Sequence, residues 1–508
     1  MTSAIGRHEV EQFRALVTDR LGLFFDDSKL GLLADALRRR VEESAGSGDL
    51  YLKRLGAPHC PPDELRRLAE ALTVTETYFY RNADQIRAFV EVAVPERLAA
   101  CTDKPTVRVL SAGCASGDEP YSLAIAIREQ LPDAAGRVSI VGVDVNPAML
   151  EKAQRAIYTN WSLRELPAEL RTRWFRAAGS NFALDAAIGR AVAFEERNLA
   201  DDAPELWKPQ SWDIVFCRNV LMYFDPALAQ EVVARIACSL TPGGYLFLGH
   251  AETLRGLSSD FHLCHTHGTF YYRLKEGSRA AWEPDIAAPV RRPINWEALS
   301  HLDDAASWVE TVRHASERIR ALADVSQELS LPPVQGAPGR PASDLHRTLE
   351  LLRSERFDQA LQQLDALPAE DTGAPEALLL RAVSSVHSGA PAQAEAACRD
   401  LIACDELNAG AHYVLALCRE GRGDIAGAIE EDQVAVYLDP GFAMARLHLG
   451  LLARRKGEWS SARRELGQAL MSLRQEDASR LLLFGGGFSR EALIALCRAE
   501  LDKCGWRP

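Results

Sequence analysis

The sequence predicts an α/β chain in three parts: a helical N-terminal segment, an open and largely parallel sheet, and an all-α C-terminal array. Three observations carry this. Apolar residues recur at helical spacing near the N-terminus, short β-rich runs alternate with helical ones between residues 104 and 275, and beyond 344 the chain repeats with a fixed period. At about 150 residues per domain, 508 residues make room for about three domains.

Charge and composition narrow the class. Against 58 Lys and Arg stand 71 Asp and Glu, a formal charge of −13. That argues against whole-chain adhesion to nucleic acid or to an anionic membrane. No run of about 18 apolar residues is present, so no membrane insertion is expected. The N-terminus, MTSAIGRHEVEQFRAL, lacks the apolar core of a secretory leader. Eleven cysteines without a C-x-x-C pair read as reduced thiols, with neither a disulfide framework nor a metal site. The expected setting is cytoplasmic.

Val10, Phe13, Leu16 and Val17, then Leu30, Leu33, Leu37 and Val41, mark two helices of the N-terminal subdomain, placed at 1–85. The strand candidates are TVRVLSAG (106–113), RVSIVGVDV (137–145), AVAFEERNL (191–199), WDIVFCRNV (212–220), GYLFLGH (244–250) and TFYYRL (269–274). Helical patterns follow the first two and the fourth, as a parallel sheet requires. Asp225-Pro226 reads as an N-cap with Pro at N1, and TPGG (241–244) as the stop of that helix. Two Pro/Ala-rich stretches then flank a candidate helix from Trp296 to about Leu329, giving a linker at 276–343. A linker of that length leads to the expectation that the two halves act independently.

Ala360, Ala394, Ala428 and Ala462 recur every 34 residues, and Gly389, Gly423 and Gly457 share the period five residues earlier. This resembles the tetratricopeptide repeat, a helix–turn–helix unit, with units beginning near 341, 375, 409 and 443 and repeats placed at 344–503. Glu355 stands where the first unit should have its glycine.

The chemistry-bearing residues lie in the sheet. Gly113 and Gly117 bracket a strand-to-helix turn followed by Asp118 and Glu119, two acids that would repel a pyrophosphate. Asp144 ends the second strand, where a carboxylate can accept from both ribose hydroxyls of an adenosine, or else cap the helix beginning near Pro147. A ligand with a ribose, no phosphate and positive charge satisfies both features, and S-adenosylmethionine is such a ligand.

TVTETYFYRN (73–82), SAGCASGDEPYSLA (111–124), VDVNPAMLEKAQRAIY (143–158), RNVLMYFD (218–225) and GHAE (249–252) occur in this order. The set resembles the CheR chemotaxis-receptor methyltransferases over about residues 10–275, and the appended repeats are similar to variants serving alternative chemosensory pathways. The resemblance implies a class I, Rossmann-like methyltransferase domain at 86–275 with a small β-subdomain at about 170–197. The implied activity is S-adenosylmethionine-dependent methylation of glutamates on chemoreceptor signalling domains, yielding S-adenosylhomocysteine. It assigns Thr75, Thr77, Arg81, Gly113, Asp118, Glu119, Asp144, Asn198, Leu199, Cys217 and Arg218 to the cofactor, and Arg81, Arg218 and Tyr223 to the reacting groups. Thr75 stands where the family commonly has Asn. Arg38, Arg39 and Arg40 correspond to a basic receptor-docking helix, although by themselves they read as a solvated helix face. RAAGSNFAL (176–184) is short for the loop that grips a receptor tether in some members. The repeats would recruit a chemosensory signalling protein. Two other readings stay open at this point, a catalytically silent scaffold and a methyltransferase of another substrate.

Overall fold

The computed structural model describes residues 5–44, 47–57, 59–100, 106–276, 341–353, 356–368, 371–485 and 488–504. The candidate helix at 296–329, most of the linker and Glu355 lie outside them. The chain divides into two units, 1–252 with 260–296, and 253–259 with 297–508.

The first unit opens with four helices: α1 (Arg7–Leu21), α2 (Leu30–Glu43), α3 (Gly48–Gly56) and α4 (Pro62–Leu72). Their apolar stripes close on a core of their own, with Phe13, Val17, Leu33, Leu37, Leu52 and Leu68 inside, as the helical spacing predicts. One cation is inside as well. Arg40 is 5% exposed and donates to Glu64 at 2.6 Å, and Glu64 also accepts from the Tyr51 hydroxyl at 2.7 Å. This pair joins α2, α3 and α4. A helical stretch follows, α5 (Ala83–Ala88) and α6 (Val94–Ala100), joined by a wider π turn at Phe89–Ala93.

Seven strands then form one sheet in the order β6-β2-β1-β7-β8-β10-β9. In chain order these are β1 (Val107–Ala112), β2 (Val138–Asp144), β6 (Val192–Glu196), β7 (Trp212–Cys217), β8 (Leu240–Leu248), β9 (Phe261–Thr266) and β10 (Thr269–Leu274). The first five run parallel, with Val109 of β1 level with Ile140 of β2 and Ile214 of β7. β10 pairs antiparallel with both β8 and β9. All six strand candidates are present. Helices α7 (Asp118–Gln130), α8 (Pro147–Arg155) and α11 (Pro226–Ser239) follow β1, β2 and β7. Asp225 caps α11 as expected, its carboxylate accepting from the Ala227 and Leu228 amides.

Three details differ from the sequence reading. The small sheet, β3 (Ile157–Tyr158), β4 (Phe175–Ala178) and β5 (Asn181–Leu184), begins earlier than 170, and the run near 192–196 belongs to the main sheet instead. Short helices α9 (Ala168–Trp174) and α10 (Ala186–Gly189) flank β4 and β5, which are joined by a two-residue turn with Gly179 at φ 65°. TPGG does not close α11, which ends at Ser239. It forms the irregular start of β8, where Gly243 takes φ 68° and the register to β7 shifts.

In the second unit, four helix pairs begin at Pro341, Pro375, Ala409 and Ala443, in step with the 34-residue period. Ala360, Ala394, Ala428 and Ala462 are all fully buried, so each second helix packs its neighbours with no side chain beyond a methyl at that point. Gly389, Gly423 and Gly457 make the turns within the pairs at φ 77–81°. Helices Ala478–Phe484 and Arg490–Lys503 complete the array. A polar cluster sits inside it. His448 meets the fully buried Asp432 at 2.6 Å and Glu420 at 2.9 Å, and Glu420 also pairs with Arg455. Burial pulls the His448 pKa down, but the two carboxylates push harder and carry it to about 9, while burial lifts Asp432 to about 6. The two therefore form an ion pair at neutral pH. No helix among the described residues is long and apolar enough to cross a membrane.

Candidate active site

A cavity of about 690 Å³ opens above the carboxyl ends of β1, β2 and β7, where open α/β sheets place their ligands. Its floor is the turn after β1. Gly113 takes φ 73°, and a Cβ there would stand 2.4 Å from Val220 Cγ2, so glycine is required both by conformation and by space. The Gly113 and Cys114 amides donate to the Val143 carbonyl, tying this turn to the end of β2.

Asp144 faces the cavity from that end. Its carboxylate accepts from the Ala115 amide and from the Asn146 amide, each at 2.8 Å, and burial raises its pKa. It does not cap α8. Asn146 does so, accepting from the Met149 amide. Asp144 is thus held by two donors with lone pairs left over for a ligand.

Segment 73–82 forms one wall and is fastened at several points. Asn146 donates to the Thr73 hydroxyl at 2.8 Å, the Phe79 amide to the Ser162 carbonyl at 2.9 Å, and the Tyr80 amide to the Ser122 hydroxyl at 2.9 Å. The Arg164 guanidinium lies 3.7 Å from the Tyr78 ring centre and 4.2 Å from that of Trp161. Arg218, 7% exposed, donates to the Arg81 carbonyl at 2.7 Å, to Asn82 Oδ1 at 2.5 Å and to Glu119 at 3.2 Å. Glu119 also accepts from Ser111 at 2.7 Å. Arg218 is thus bonded through both terminal nitrogens, to Glu119 on one side and to segment 81–82 on the other. Arg81 differs. It donates to the Glu76 carbonyl at 3.3 Å, and among the described residues no carboxylate pairs with it.

Of the residues singled out from sequence, Thr75, Thr77, Arg81, Gly113, Glu119, Asp144, Leu199, Arg218 and Tyr223 line this one cavity. Asp118, Asn198 and Cys217 do not. Asp118 is fully buried on the inner side of α7 and accepts from Ser116 at 2.7 Å, and burial pushes its pKa up to about 6. Asn198 shapes its own loop, accepting from the Ala200 amide at 3.1 Å. Cys217 is sealed in the sheet, where burial holds its thiol neutral. On α2, Arg38 and Arg39 are exposed but Arg40 is not, so Arg40 supports the helical core instead of a docking face.

The sequence reading missed the mouth. Among the described residues eleven large apolar side chains are exposed, and four of them, Phe24, Leu32, Val74 and Met222, line this cavity. No motif marks them, because an exposed apolar residue is only informative once its neighbours are known.

These residues fit S-adenosylmethionine. Asp144 would accept from the ribose hydroxyls, Val145, Met149 and Leu199 would flank the base, and the bare backbone at Gly113 leaves room beside it. The family "CheR methyltransferase, SAM binding domain" matches residues 75–270. "Chemotaxis protein methyltransferase 2" of Vibrio cholerae is 32% identical over 274 residues, covering 52% of this chain and 93% of that protein. The chain belongs to the CheR methyltransferase family. "Chemotaxis protein methyltransferase" of Vibrio anguillarum is 36% identical over 279 residues, 53% of this chain and 98% of that protein. The similarity also reaches beyond the shared CheR domain. "Probable biofilm formation methyltransferase WspC" of Pseudomonas putida is 28% identical over 469 residues, 92% of this chain and 99% of that protein. As a CheR protein the chain is a protein methyltransferase that uses S-adenosylmethionine.

Proposed function

We propose that this enzyme methylates glutamate side chains on chemoreceptor signalling domains, and that it serves a chemosensory pathway of the kind implied by its biofilm-formation relatives. The observation that carries the reading is the division of labour between two arginines. Arg218 is committed to Glu119 and to segment 81–82, whereas Arg81 has no carboxylate partner among the described residues. Of these two arginines, Arg81 is therefore the one available to meet an acceptor carboxylate.

Bound S-adenosylmethionine supplies an electrophilic methyl group. A glutamate acceptor is already ionised at neutral pH, so the protein has no proton to remove. Its work is to orient the carboxylate and strip away water. Arg81 orients it with one contact, since stronger pairing would stabilise the ground state as well. Burial raises the pKa of Tyr223, which keeps its phenol protonated as a donor at the same end. The apolar rim of Phe24, Leu32, Val74 and Met222 suits a macromolecular acceptor, whose own surface would complete the water seal. The repeats supply a separate surface, and we assign to them the choice of signalling complex.

The test is transfer of tritiated methyl from S-adenosylmethionine to purified receptor signalling domains. Counts released as methanol by mild base identify a carboxyl methyl ester. Base-stable counts, or none on any receptor domain, would sink the reading. Arg81→Gln is expected to raise the receptor KM and lower kcat while the cofactor Kd changes less.

A further inference from the structure

We propose that Glu252 is a positioning residue for methyl transfer, a buried carboxylate that fixes the turn 219–223 at the transfer end of the cavity. The inference rests on Tyr223 standing at that end, which belongs to the reading above.

Glu252 is 6% exposed and is not among the residues lining the cavity, so it acts through other groups. Its carboxylate works on backbone. Oε2 accepts from the Asn219 amide at 2.5 Å and from the Gly249 amide at 2.9 Å, and Oε1 accepts from the Met222 amide at 3.3 Å. Bonds to an ionised acceptor in a dry site are the strong kind. The turn they hold includes Asn219 at φ 59°, a left-handed conformation that asparagine adopts more readily than other non-glycine residues.

Two glycines press on the same turn from either side. A Cβ on Gly249 would stand 2.7 Å from Asn219 Nδ2 and 2.8 Å from Glu252 Oε2. A Cβ on Gly113 would meet Val220 Cγ2 at 2.4 Å. The turn is therefore wedged between the ends of β1 and β8 and pinned by one carboxylate. It delivers Val220, Met222 and Tyr223 to the cavity wall, with Arg218 just before it. A glutamine at 252 would fill the same volume but turn an NH2 group toward amide donors, so only the carboxylate satisfies all three.

Glu252→Gln is compared with wild type in the full-length protein, below the melting temperature of both. A shift of this kind misplaces reacting groups more than it empties a pocket, so kcat is expected to fall about 10- to 100-fold. Receptor KM and cofactor Kd should stay within about threefold. Deuterium exchange should accelerate in the 218–225 segment and not in β7. The double variant with Tyr223→Phe should lose no more than the worse single, because both act through one turn. Gly249→Ala, which pushes the carboxylate from the other side, is the second probe should Glu252→Gln not fold, and the same losses are expected of it. Unchanged kcat or unchanged exchange, or an additive double variant, overturns the proposal. If wild type methylates no receptor domain, the glutamate reading fails, and exchange in 218–225 still decides whether Glu252 holds the turn. If Tyr223→Phe alone leaves kcat intact, the reading of Tyr223 fails while the Glu252→Gln result stands.

Discussion

In the repeats, the described residues of positive φ are all glycines, Gly389, Gly423 and Gly457. The methyltransferase unit instead forces seven non-glycine residues into that region. Two of these, Ala115 and Asn219, line the cavity, and two more, Tyr80 and Asn82, flank its lining residue Arg81. Each such residue costs of order 1–3 kcal/mol and persists only where its surroundings over-determine it. Around the cavity they are so fixed: Tyr80 by Ser122, Asn82 by Arg218, Ala115 by Asp144 and Asn219 by Glu252. A binding array can relax into preferred geometry throughout, whereas a site that must present given atoms in given places stores strain and needs side chains to hold it.

The contrast breaks first where the repeats carry a buried charge of their own. His448→Ala leaves the fully buried Asp432 uncompensated and is expected to cost about 3–5 kcal/mol, an effect as large as any at the active site. The sign with pH follows from the raised histidine pKa. The stabilisation is complete below about 6.5 and is lost as pH rises through about 9. The repeat transition seen by calorimetry should therefore move down between pH 7 and 10 in wild type and lose that slope in the variant.

The same substitution in both units sharpens the comparison. Gly113→Ala and Gly423→Ala both force alanine to positive φ, at 73° and 81°. At 423 a Cβ meets nothing within 4 Å, so the cost is that of conformation alone, about 1–2 kcal/mol. At 113 the methyl also collides with Val220, and overpacking of that kind brings the total to about 3 kcal/mol or more. Paired denaturant melts check this, and calorimetry with S-adenosylmethionine should show binding lost only in Gly113→Ala.

The smallest effect expected is Asp144→Asn, which keeps the shape but turns an NH2 group toward the Ala115 or Asn146 amide. Cofactor affinity should fall about tenfold, the worth of one charge-assisted bond. Because burial raises the Asp144 pKa, wild-type affinity should decline on acidification earlier than for an ordinary carboxylate. Titrations from pH 7 to 5 should show that decline in wild type and a flat response in the variant.

The periodic part of the molecule was readable from residue spacing almost to the residue. The helix pairs start where the 34-residue phase puts them, because one alanine position recurs fully buried. In the methyltransferase unit, short β-rich runs revealed six of the seven strands of the main sheet and missed β9, whose FHLCHT carries too little apolar contrast. Motifs found the cavity but not which member of a run faces it. Asp118 and Glu119 are adjacent acids about 100° apart on α7, and only Glu119 reaches the cavity. The same rotation exposes Arg38 and Arg39 and buries Arg40 against Glu64, a partner 24 residues away that no local pattern announces. The apolar rim and the pinning role of Glu252 depend on segments far apart in the chain, so neither had a signal at short range.

The recurrence of Ala360, Ala394, Ala428 and Ala462 in one packing position also bears on how such a protein can change length. Inserting or deleting a whole 34-residue unit replaces one helix interface by an equivalent one, with the same small residue at the closest approach. A change of 33 or 35 residues would instead rotate every later helix by about 100° and bury the wrong face. Growth of the array is thus quantised. A lineage can lengthen or shorten this arm in whole steps while the residues that hold the cofactor cavity stay unaltered.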